Sequence, residues 1–93
     1  IQGYYIEQPS VEDVSQIVTL IDNVASRQIQ IVKSELYTKF TLDLTAEDNK
    51  IIRLSLRRKI EDQIKDLDSI IYYGLFSSAR VIDLRSDTYS ITR

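Results

Sequence analysis

The chain has no cysteine, histidine, methionine or tryptophan among its 93 residues, and only two glycines and one proline. Each absence narrows what it can do. Without cysteine there are no disulfides, no thiolate nucleophiles and no cysteine-held metals. Without histidine, the commonest general base and the commonest metal ligand are missing. With Gly3 and Gly74 alone, no glycine-rich loop is available to cradle a phosphate. No apolar run in the sequence approaches the roughly 18 residues of a membrane span. The opening Ile1-Gln2-Gly3-Tyr4-Tyr5 has neither the basic region nor the apolar core of a signal peptide. These features predict a cytoplasmic, non-enzymatic protein with no cofactor, no bound metal and no membrane. The lack of an initiating methionine predicts a fragment of a longer chain or a processed terminus.

Apolar residues make up 43% and charged residues 28%, the balance of one soluble globular domain over residues 1–93. The clearest pattern is a stripe of Val14, Val18, Ile21, Ala25, Ile29, Val32, Leu36 and Phe40. Its spacing of three or four residues predicts a helix over residues 10–40, about 46 Å long at about 1.5 Å per residue. Ser10 is a suitable N-cap, with Glu12 and Asp13 at the positive end of the helix dipole. Thr41-Leu42-Asp43-Leu44 alternates and breaks the stripe, and Thr45 is the next candidate cap. A second helical run is expected to about residue 73, carrying Ile52, Leu56, Ile60, Ile64, Leu67 and Ile71. Its four-residue steps rotate the face by about 40° each, so the run is either one curving helix or two helices that divide near Arg57-Arg58-Lys59.

Two further segments are open to alternatives. Gly74 either ends the second run or sits inside it. Residues 80–93 form either a hairpin turning at Ser86-Asp87 or a continued helix followed by an extended tail. Residues 1–8 read as a short strand or an arm ended by Pro9. The predicted fold class is mainly α: two long antiparallel helical segments with short extended or strand segments at the termini. Val14, Val18, Ile21, Ile29, Val32, Leu36, Ile60, Ile64, Leu67 and Ile71 are the expected core or dimer face. Leu20, Ile31, Ile70 and Leu75 fall off these stripes and need cover from the termini or another chain. That predicts a homodimer, the commonest closed assembly.

Net charge is −2, but it is unevenly spread. Residues 1–26 hold Glu7, Glu12, Asp13 and Asp22 with no cation, whereas residues 50–59 hold Lys50, Arg53, Arg57, Arg58 and Lys59 with no acid. On a helix, Lys50, Arg53 and Arg57 would fall within about 60° of one another, an arrangement able to meet the phosphates of a duplex. The same cations also serve as a solvated face offsetting Glu61 and Asp62. Glu61, Asp62, Asp66 and Asp68 read better as partners for i,i+4 ion pairs than as a metal or acid–base site. The six tyrosines fit packing or interface roles better than base stacking.

From Ile51-Ile52-Arg53 onward the chain resembles a histone fold. In that alignment the long central helix runs from near Lys59 through Tyr73-Gly74-Leu75, Ala79-Arg80-Val81 and Leu84, and Ser90-Ile91-Thr92 supplies the following strand. Histone-like C-terminal domains occur in archaeal plasmid partition proteins of the ParB class. The resemblance implies a dimeric module in a DNA-associated protein, with sequence-tolerant binding of double-stranded DNA and a role in DNA segregation. The alternative is an adaptor that binds other protein subunits, or itself, without nucleic acid.

Overall fold

The computed structural model describes residues 11–93. The expected arm at residues 1–8, Pro9, the Ser10 cap, and Tyr4 and Tyr5 lie outside the described residues. Helix α1 (Val11–Ala25) is followed by three strands: β1 (Ile31–Thr38), β2 (Thr41–Ala46) and β3 (Ile51–Ser55). Helix α2 (Ile60–Tyr72) and strands β4 (Val81–Asp83) and β5 (Ser90–Thr92) complete the order. The strands form one sheet in the order β1-β2-β3-β4-β5. All neighbours are antiparallel except β3 and β4. A parallel pair needs a crossover, and α2 supplies it. The fold is α+β, which corrects the mainly α expectation.

The predicted helix over residues 10–40 stops at Ala25. The amides of Arg27 and Gln28 bond the carbonyls of Val24 and Ala25, and Gln28 takes φ +64°. These shortened bonds and a left-handed residue turn the chain out of the helix. Ile29, Val32, Leu36 and Phe40 continue the three-to-four spacing, but the intervening Ile31, Lys33, Ser34, Glu35, Tyr37 and Thr38 also fit a strand. Pairing with β2, with Lys33 opposite Thr45 and Glu35 opposite Asp43, decides for the strand. The second helical run likewise begins too early. Asn49, at φ +66°, turns β2 into β3, so Ile52, Leu54 and Leu56 belong to an alternating strand and its exit.

Neither a curving helix nor two helices span Arg57-Arg58-Lys59: β3 precedes these residues and only α2 after them is helical. Gly74, at φ +74°, ends α2. Its amide bonds the Ile71 carbonyl, and the Leu75 amide reaches back to Ile70, closing a Schellman motif. Residues 80–93 form the hairpin, with Ile82 opposite Ile91. The segments aligned with the histone helices are thus largely β3, α2 and β4, and the histone-like frame is not formed.

Both helices cover one face of the sheet. Leu42, Leu44, Ile52, Leu54 and Ile82 from the strands meet Leu20 and Val24 of α1 and Ile64, Leu67 and Ile70 of α2, all buried. Each such side chain contributes roughly 1.5–3 kcal/mol on burial. The expected core face is corrected accordingly. Ile29, Ile64 and Leu67 are buried, and Ile21, Leu36 and Ile60 pack at the core margin. Val14, Val18, Val32 and Ile71 are exposed. The sheet selects the arc of α1 through Ile17, Leu20 and Val24, leaving the arc through Val11, Val14, Val18 and Ala25 outside.

Candidate interaction surface

The five cations grouped by the sequence do not share a face. Lys50 is only 5% exposed. Its Nζ donates to the Ala79 carbonyl at 2.5 Å, lies 5.0 Å from the Phe76 ring centroid and sits 3.7 Å from Asp48. A buried ammonium is tolerable because a carbonyl, a ring face and a carboxylate surround it. Arg53 points to the opposite side of the sheet. Its Nε and Nη2 donate to the two carboxylate oxygens of Asp43 at 2.8 and 2.9 Å, and its guanidinium lies 3.9 Å from the Tyr37 ring centroid.

Arg57 stacks on Phe40 at 3.8 Å and donates to Asp13 at 2.9 Å, tying the β1–β2 turn to the first turn of α1. Arg58 is largely buried. Its Nη1 lies 3.0 Å from Asp66 and donates to the Leu84 carbonyl at 2.9 Å. Lys59 is exposed at the N-cap of α2. Four of the five cations thus have protein partners, and the basic face expected on one helix is split between a strand, a turn and a cap. The grouping misled because it assumed a helical rotation over residues that form a strand.

The face of the sheet that neither described helix covers carries a row of charged side chains. Glu35 lies opposite Asp43, Asp43 opposite Arg53, and Arg53 opposite Asp83. Arg85 grips Asp83 through Nε and Nη2 at 2.9 and 2.8 Å and holds its carboxyl below the usual carboxylate range. On the helical side, Arg27 bonds both oxygens of Asp68, which lowers the Asp68 pKa in the same way. Of the four carboxylates singled out in the sequence, Asp66 pairs with Arg58 and Asp68 with Arg27, and neither is an i,i+4 pair. Among the described residues no group of three or more acidic side chains is placed to hold a metal. No described helix is long and apolar enough to cross a membrane.

Gln63, which the sequence reading passed over, is fully buried. Its Oε1 accepts from the Ser55 amide at 2.7 Å, and its Nε2 donates to the Ser55 and Arg58 carbonyls at 2.9 and 3.0 Å. One glutamine thus satisfies the backbone where β3 gives way to α2. Its polarity on the α2 face that carries Ile60, Ile64 and Leu67 was the available signal.

α1 turns Gln16, Asn23 and Arg27 toward α2, through Gln16 Nε2 to the Arg58 carbonyl and Arg27 to Asp68, with Asn23 lining the groove between the helices. On a helical wheel Val11, Val14, Val18, Ile21 and Ala25 form the flank away from α2. Val18 is 51% exposed and Val32 of β1 58% exposed. β1 is an eight-residue edge strand, and among the described residues nothing pairs with its outer side. The exposed Tyr72 and Tyr73 rings meet edge to face at 5.0 Å at the C-terminal end of α2. No protein-family model and no curated protein matches the chain.

Proposed function

We propose that this chain is a non-catalytic protein-interaction module that assembles through the outer flank of α1 and the edge of its sheet. The observation that carries the reading is the pair of exposed features. α1 exposes Val11, Val14 and Val18, and β1, eight residues long, has an outer edge with no strand partner among the described residues. An apolar flank favours association by removing surface from water, and an edge strand offers backbone donors and acceptors to a further strand. A cytoplasmic setting is part of the proposal and agrees with the absence of cysteine.

The duplex-binding reading drew its support from residues 50–59, and there Lys50, Arg53, Arg57 and Arg58 are engaged within the chain. Sedimentation velocity over a concentration series, with and without duplex DNA at low salt, tests the choice. The expected result is association beyond the monomer that is insensitive to DNA and is reduced by Val14→Ser with Val18→Ser at unchanged thermal midpoint. A chain that stays monomeric at every concentration, or that associates only on DNA, overturns the proposal.

A further inference from the structure

We infer that the partner at this edge is a second copy of the same chain, joined antiparallel through β1 about a twofold axis at Ser34. The inference rests on the interaction-module reading and deepens it. Its warrant is the order of side chains in the part of β1 whose register is unbroken, Lys33-Ser34-Glu35-Leu36. An antiparallel twofold centred on Ser34 sets Lys33 opposite the partner's Glu35, and this contact occurs twice, as an isologous interface requires.

The faces agree as well as the order. Lys33 and Glu35 lie opposite Thr45 and Asp43, on the uncovered side of the sheet. Tyr37 joins them there, beneath the Arg53 guanidinium. Ser34 and Leu36 lie opposite Leu44 and Leu42, on the helical side, and a bulge interrupts the alternation at Val32. The register therefore places charge against opposite charge on one side and Ser34 against its own copy on the other. Slipping it by one residue would set apolar groups against polar ones.

A lone lysine at a strand edge discourages pairing. Here Glu35 lies 3.0 Å from the Lys33 ammonium, so the edge carries both signs, and pairing converts two such bridges into a four-charge cluster. The axis is perpendicular to the sheet, so both copies keep their helices on the same side. Pairing the two β1 edges gives a continuous ten-stranded sheet.

The absence of cysteine allows a direct test. Opposed Cα atoms in an antiparallel pair are about 4.5–5.5 Å apart, within the range of about 4.4–6.8 Å that a disulfide spans. Under mild oxidation Ser34→Cys should become a covalent dimer, while Ser78→Cys and Ser86→Cys, at exposed positions elsewhere, should not. Lys33→Glu and Glu35→Lys should each weaken dimerisation about tenfold, since each creates two like-charged cross-strand pairs. The double exchange should return it to within about twofold of the parent.

The five substituted side chains are exposed, so an unchanged thermal midpoint separates a dimer effect from misfolding. Association that persists while Ser34→Cys fails to cross-link and the charge variants have no effect overturns the β1 register but leaves the interaction module standing. A chain monomeric throughout overturns both.

Discussion

Arg53 and Asp43 are joined by two parallel hydrogen bonds, 2.8 and 2.9 Å long, across neighbouring strands on the uncovered face of the sheet. The aspartate is buried and the Tyr37 ring lies against the guanidinium. Arg53→Ala leaves a buried carboxylate unpaired, so it should destabilise the chain by about 2–4 kcal/mol. Urea titration of the variant measures this. A loss under about 0.5 kcal/mol, the scale of an exposed pair, would show that Arg53 is free to contact ligands.

Gln63 offers a polar counterpart. Gln63→Leu keeps similar volume but leaves the Ser55 amide and carbonyl without their partner. The expected loss is about 2–3 kcal/mol, with faster amide exchange at Ser55. Protection of the Ser55 amide at the parental level would mean that other groups replace the glutamine.

The two arcs of α1 should respond oppositely. Leu20→Ala opens a cavity in the core and should cost about 3 kcal/mol. Val18→Ala should leave the folding of the monomer within about 0.5 kcal/mol of the parent, as exposed substitutions usually do, while weakening association. Chemical unfolding at low and high protein concentration separates the two effects. Equal losses for both variants in dilute solution would place Val18 in the core.

The length of α1 is where sequence and structure part most clearly. The three-to-four spacing from Val14 to Phe40 fits a helix, yet the same residues from Ile31 onward carry β-branched and aromatic side chains that fit a strand equally well. Only a partner decides between these readings, and β2 is non-local information. The burial of Ile64 and Leu67 was legible because it depends on nearby residues, whereas the end of α2 at Gly74 and the hairpin between Val81 and Thr92 were each one of two readings the sequence left open. Grouping Arg53 with Arg57 failed for the opposite reason. Their angular separation is set by the type of element they occupy, and a wrong element scatters them.

Acid should weaken the fold through identified pairs. Arg27 lowers the pKa of Asp68, and Arg85 lowers that of Asp83, each chiefly by direct hydrogen bonding. A carboxyl depressed in the folded state contributes stability that is complete above its unfolded pKa of about 3.9. That contribution is lost as the pH falls through the lower folded value. Stability should therefore be nearly flat in this respect from pH 7 to about 5 and decline below about pH 4. Asp83→Asn should make the decline shallower. An unchanged acid slope in that variant, measured by urea unfolding at stepped pH, would remove Asp83 from the account.

The sheet has two very unequal margins. β1 is eight residues long, and β5, at the other side, is three. Three residues give a newcomer few backbone bonds, so growth by strand addition has one productive direction. Once two β1 margins meet, only the short ones remain. Such an object caps itself: it closes as a pair and does not propagate into a fibre.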